Sequence, residues 1–144
     1  MFRSPLPDVV IPELSVYEAL FASLTPEDLD RIALIDGSTG EETTYGQLRA
    51  QIDALAGALA ARGIAVGDVV ALHSPNVPAF ATVFHGILRA GAIATTTNAL
   101  YTADEIANQL RDSGARLLFT LSALLPQAME AASAVGLAQS DVIV

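Results

Sequence analysis

The chain has 144 residues, 52% of them apolar and only 16% charged, with a net charge of −9. Its basic residues are all arginines, scattered from Arg3 to Arg116; there is no lysine and no basic stripe to track a nucleic-acid backbone. The lack of cysteine excludes disulfides and thiolate metal sites, two separated histidines give no metal-ligand spacing, and no uninterrupted apolar run is long enough to span a bilayer.

Residues 1–14 (MFRSPLPDVVIPEL) carry three prolines and read as an extended arm, not as a helix or a secretory signal. A cytoplasmic location is expected. Ser15 and Glu18 form a capping-box pattern before a helix whose apolar face would hold Tyr17, Leu20, Phe21 and Leu24. Thr25-Pro26-Glu27-Asp28 repeats the logic for a short turn of helix. Residues 31–36 (RIALID) and 42–45 (ETTY) flank the turn-rich GSTGE and predict a hairpin. Thr44 and Gln47 box the next helix, along which Leu48, Ile52, Leu55 and Leu59 recur at helical spacing. Arg62 complements its negative end, and Gly63 is placed to stop it.

From there the rhythm is α/β. Residues 69–73 predict a strand, and Asn76 is expected to cap a helix with Pro78 in its first turn. Phe80, Phe84, Ile87 and Leu88 form that helix's buried face, and Gly91 ends it. Residues 92–96 form the next strand. Thr102 and Glu105 open a helix with Ile106 and Leu110 inward and Gly114 as its stop. Residues 116–120 are a third strand. Ser122 is expected to begin a helix reaching Val135, with Pro126 able to shift its start, and residues 141–144 begin a fourth strand.

Strands alternating with helices imply βαβ units and a parallel sheet flanked by helices, preceded by the arm, a helix and a hairpin. The expected divisions are the arm at 1–14, helix, hairpin and helix at 15–66, and the βαβ region at 67–144. Parallel strands are normally covered on both faces, and the last strand has no helix after it. With the high apolar content, this predicts an incomplete N-terminal subdomain of a larger protein. The surplus apolar surface would meet another protein segment or form an oligomer interface.

The chemistry-bearing residues are sparse. His73 and Ser74 are neighbours in a strand and point to opposite faces, so they cannot readily pair as base and nucleophile. His85 has Ala81, Thr82, Leu88 and Arg89 as its helical neighbours, none an acid to orient an imidazole. The acidic pairs Asp28/Asp30, Glu41/Glu42 and Asp104/Glu105 sit at helix starts or in a turn, where they cap or stay solvated. The turn after residues 69–73 is Ser74-Pro75-Asn76, not a glycine cradle, and neither GxGxxG nor GxxxxGK[ST] occurs. A dinucleotide-binding domain is disfavoured, as is a receiver-like signalling domain, which needs a lysine. Ligands of open α/β sheets bind beyond the carboxyl ends of the strands. Here that edge would hold Ser74, Pro75 and Asn76, residues 95–98, and Thr120, Leu121 and Ser122. Asn76, Thr102 and Ser122 read as caps; residues 95–98 are left open between a ligand role and a turn role.

SPLPDVVIP near the start, TYGQL at Thr44, GDVVALHSPNVPAF at Gly67 and GILRAGAIATTTNALYTADEIANQLRDSGARLLFT from Gly86 stand in one order. Together they resemble the N-terminal portion of adenylate-forming acyl-CoA synthetases, within the branch of 4-coumarate–CoA ligase and luciferase-like enzymes. The resemblance implies a parent that joins a carboxylic acid to AMP with Mg-ATP and passes the acyl group to coenzyme A. It places the phosphate loop, its lysine and the lysine of a mobile C-terminal domain after Val144, and a chain without lysine contains neither lysine. Asn76, Gly91, Asn98 and Glu105 match family positions, but each has a structural reading, and Asn98 is followed by Ala99 where many relatives have proline. The implied partner is the remainder of the parent. No catalytic, cofactor-binding or metal-binding residue is assigned to this chain, no cofactor is expected to bind it alone, and it is expected to be inactive. The alternative is a standalone non-catalytic α/β binding or assembly module. The identity of the acid is not legible in these residues.

Overall fold

A computed structural model describes residues 5–7 and 9–144. Residues 5–7 and 9–14 carry neither helix nor strand, as expected of the arm; the rest of that expectation, at residues 1–4 and 8, lies outside the described residues.

Four capping boxes set the frame. Ser15 caps α1 (Val16–Phe21), Thr25 caps α2 (Pro26–Leu29) and Thr44 caps α3 (Tyr45–Ala61); each accepts from the third residue inside, whose side chain returns the bond. Thr102 does the same for α5 (Ala103–Ser113), which ends on Gly114 at φ 65°. Strands β1 (Ile32–Ile35) and β2 (Glu42–Thr44) pair antiparallel as the expected hairpin. In α1 only Phe21 is buried, with Tyr17 and Leu24 packed beside it; Leu20 is 50% exposed, against expectation. Tyr17 and Phe21 stand four residues apart in α1, and Leu24 joins them from beyond the helix end.

The main sheet has four strands in the order β4-β3-β5-β6, all parallel. They are β3 (Val69–His73), β4 (Ile93–Thr97), β5 (Leu117–Thr120) and β6 (Val142–Ile143). Helix α4 (Pro78–Arg89) leads outward from β3 to β4. Helix α5 then returns past β3 to β5, and α6 (Leu125–Val135) continues to β6. Connections running in opposite directions place their helices on opposite faces. Val70, Leu72, Leu117 and Phe119 accordingly pack with Leu59 of α3 and Ile87 of α4. Ala71 and Leu118 pack with Ile106, Ala107 and Leu110 of α5 and Ala128 and Ala131 of α6. Each fully buried leucine or isoleucine in these layers contributes about 1.5–3 kcal/mol relative to exposure. Helix α3 joins the two regions: Leu48 and Ile52 pack with Phe21 under the hairpin, and Leu59 packs on the sheet. No helix among the described residues is long and apolar enough to cross a membrane.

Two helix starts differ from expectation. Helix α4 is capped by Val77 (φ −120°, ψ 159°), without a side-chain bond, and Asn76 lies outside it. Pro78 is the cause, because a proline holds the residue before it extended and so fixes the boundary at position 77. Ser122 opens not α6 but a 3-10 turn, Ser122–Leu124, and α6 starts at Leu125 with Pro126 in its first turn. Strand β4 is displaced by one residue from the predicted 92–96, because Ala92 closes the helix stop through its N–H to Ile87 O.

Candidate functional site

A cleft opens at the carboxyl ends of β3 and β4, on the edge of the sheet where open parallel sheets bind ligands. It is a space of about 670 Å³, lined by residues 74–76, Phe80 and residues 96–101. It brings together two of the three candidate stretches, Ser74-Pro75-Asn76 and residues 96–98. Residues 120–122 do not line it.

Its wall is a turn built from sequence-local bonds. Asn98 Oδ1 accepts from Leu100 N at 3.0 Å, and Asn98 O accepts from Tyr101 N at 3.0 Å, which fixes the chain as it leaves β4. This supports the turn role for Asn98. Helix α5 steadies the approach: Gln109 Nε2 donates to Thr95 Oγ1 at 2.9 Å and to Thr96 O at 2.8 Å. Asn76 and Phe80 approach from the opposite side.

Beneath the wall lies a polar row. The register pairs His73 with Thr97 on one side and with Thr120 on the other, so all three side chains share the face covered by α5 and α6. Their exposures are 0, 4 and 5% for His73, Thr97 and Thr120. His73 Nδ1 faces Thr120 Oγ1 at 3.4 Å. His73 Nε2 and Thr97 Oγ1 are buried and have no hydrogen-bond partner. Burial pushes the His73 pKa down, and the backbone of Ala99 and Asn98 opposes that shift. That backbone lies close to the ring without reaching Nε2 in hydrogen-bonding geometry.

The row does not make a nucleophilic site. Ser74 Oγ donates to Pro75 O at 2.9 Å, so it is not held by His73, in keeping with the opposite-face reading of that pair. A neutral imidazole here offers one donor and one acceptor nitrogen and no charge. His85 lies elsewhere, edge-on to Phe21 and Phe84 at ring-centre distances of 5.7 and 5.4 Å, and burial lowers its pKa also. Nor does the cleft fit a nucleotide triphosphate, since none of its lining residues is charged. Sequence reasoning missed the row because it judged His73 only against Ser74. The alternation of residues 69–73 would have put His73 on the same face as Ala71, inside the sheet's cover.

A second polar group sits at the start of the fold. Tyr17 donates to Asp53 Oδ2 at 3.1 Å, Arg89 Nε donates to Asp53 Oδ1 at 3.0 Å, and the Arg89 guanidinium lies 4.3 Å from the centre of the Tyr17 ring. It fastens α1 to α3 and α4.

The family described as AMP-binding enzyme matches residues 22–143. A 4-coumarate–CoA ligase 5 from Oryza sativa subsp. japonica is 40% identical over 121 residues, 83% of this chain and 22% of the relative. Peroxisomal OPC-8:0-CoA ligase 1 from Arabidopsis thaliana is 42% identical over 130 residues, 90% of this chain and 23% of the relative. A benzoate CoA ligase structure from Burkholderia xenovorans LB400 superposes with a TM-score of 0.75 at 28% identity, covering 81% of this chain and 24% of that one. The chain thus spans less than a quarter of the length of each of these proteins.

Proposed function

This chain belongs to the AMP-binding enzyme family, and from that premise we propose that it is the N-terminal part of an acid–CoA ligase of the 4-coumarate–CoA ligase-like branch. The observation that carries the reading is the family match over residues 22–143 together with 40 and 42% identity to two CoA ligases, of which this chain covers 22 and 23%. The parent activates a carboxylic acid with ATP and magnesium to an acyl-adenylate, releasing pyrophosphate, and transfers the acyl group to the coenzyme A thiol. Such phosphoryl chemistry needs positive charge and aimed donors around the transferring group. This chain has no lysine, and its carboxyl-edge cleft has no charged residue, so those parts lie in the remainder of the parent. What this chain contributes is a scaffold: a sheet closed on both faces, with a fixed turn at Asn98 forming part of the wall on which the site is completed.

The test is acid-dependent ATP–pyrophosphate exchange. The complete product of the reading frame is expected to exchange label, and the purified 144-residue chain is not. Exchange by the 144-residue chain would overturn the second statement. A frame that stops at Val144, with no exchange, would overturn the first and leave a non-catalytic α/β module.

A further inference from the structure

Two polar atoms stand together inside the sheet's cover. His73 Nε2 and Thr97 Oγ1 are buried and have no hydrogen-bond partner among the described residues, whereas buried polar atoms in native proteins are paired almost without exception. The parallel register sets His73 directly beside Thr97, so the two side chains share one face. Neighbouring strands run about 4.8 Å apart, a spacing that one small molecule making two hydrogen bonds of about 2.9 Å can span.

The surroundings define that molecule. His73 is fully buried and does not line the open cleft, so nothing seated in the cleft reaches Nε2. The buried polar residues among those described are His73, Ser74, Thr97 and Thr120, so neither a cation nor an anion would meet a countercharge. A neutral molecule with donor and acceptor capacity remains, and the smallest is water, which fills such interior sites when two to four polar groups surround it. A third partner is at hand. Asn98 and Ala99 follow Thr97 directly, and their backbone beside the ring favours the protonated imidazole, a form that only donates; the groups concerned are therefore carbonyl oxygens.

We propose that a single water molecule is enclosed between His73 Nε2 and Thr97 Oγ1, with the carbonyl of Asn98 or Ala99 as its third partner, and that it ties the Asn98 turn to β3. The inference goes beyond the ligase reading and holds whatever the parent does. The pairing of β3 with β4 ends at His73 and Thr97, and the bonds of the turn itself, from Leu100 N and Tyr101 N to Asn98, are local to it. Past that last pair, the water is the link from the turn back to the sheet. The imidazole carries the link one strand further, since its Nδ1 faces Thr120 of β5.

The experiment is a crystal structure of the complete product of the reading frame, at a resolution that shows ordered water, with the Thr97→Ser and Thr97→Val variants beside it. A peak within about 3.2 Å of both His73 Nε2 and Thr97 Oγ1 is expected, retained in Thr97→Ser and lost in Thr97→Val. Amide hydrogen exchange reads the tie to the turn: Leu100 and Tyr101 should exchange severalfold faster in Thr97→Val than in the unsubstituted protein, and at close to its rate in Thr97→Ser. Thr97→Ala replaces the valine variant if valine prevents folding. A map of the unsubstituted protein with no peak, with His73 and Thr97 bonded to each other, or with a peak that touches only one of them, would overturn the proposal. So would a peak that persists in Thr97→Val. Unchanged exchange at Leu100 and Tyr101 once the hydroxyl is gone would overturn the tie to the turn.

Discussion

Gly86 shows how much one missing methyl can decide. It lies inside α4, where alanine would ordinarily be preferred by about 1 kcal/mol. A Cβ at this position, however, would stand 2.6 Å from Leu55 Cδ2, 2.9 Å from Cγ and 3.0 Å from Cβ. The Leu55 Cβ is fixed by the α3 backbone, and its Cγ can leave only if Leu55 changes its χ1 rotamer. Gly86→Ala must therefore separate α3 from α4 or push Leu55 out of its rotamer, at a cost of about 1–3 kcal/mol. The cost exceeds the propensity gain, so the net expectation is a loss of up to about 2 kcal/mol, read as a lower urea midpoint with an unchanged slope. A variant as stable as the parent chain would mean that Leu55 yields freely. The sequence alone did not reveal this contact. A glycine in an apolar helix pattern shows only that something is missing, and the neighbour that needs the space is 31 positions away along the chain.

Helix ends were far more legible, because their physics is local. Thr102 and Glu105 are three residues apart, and the structure joins them with Thr102 N–H and Oγ1 donating to Glu105 Oε2 at 2.8 and 2.9 Å. Thr102→Ala should cost about 1 kcal/mol of stability. Asn76→Ala, at the residue the pattern marked as a cap, should cost less than about 0.5 kcal/mol, since α4 takes no side-chain bond there. Measuring the two variants side by side by urea denaturation tests the assignment; an equal loss at both would restore Asn76 as a cap. The misreading had a local cause. Asn76 and Pro78 both carry helix-start signals, but only Pro78 sets the boundary, because it holds Val77 extended and leaves Asn76 outside the helix. Strand order was less accessible. The passage from β4 to β5 across β3 is a pairing between residues distant in sequence, and periodicity within a strand carries no information about its neighbours.

For the whole molecule, function became legible through an ordered set of family residues and not through a site, because the described cleft holds no charge and no nucleophile committed to a base. What the whole molecule does determine is its response to acid. Burial lowers the pKa values of His73 and His85 below 6.5, so the unfolded chain takes up these protons more readily than the folded one. Their contribution is fully present above pH 6.5 and declines as the pH falls below it. Five carboxylates follow lower down. Backbone N–H groups hold Glu18, Asp28, Asp68 and Glu105 below their ordinary values, and the Ser38 hydroxyl does so first for Asp36. Their contribution is complete above the ordinary values of 3.8 and 4.5 and is lost as the pH drops through the lowered ones. Acid also reduces the net charge of −9, which relaxes self-repulsion and works the other way. The charges are mostly exposed and screened by salt, whereas His73 is buried and His85 partly buried, so the burial effect should win at ordinary ionic strength. Urea midpoints are thus expected to hold level above pH 6.5, fall in a first stage below it, and fall again below the carboxylate range. Replacing both histidines with glutamine should flatten the first stage and leave the second, whatever those changes do to the absolute midpoint. A first stage that persists in the double variant would place its origin outside the imidazoles, and a midpoint that rises on acidification would mean that net-charge repulsion outweighs them.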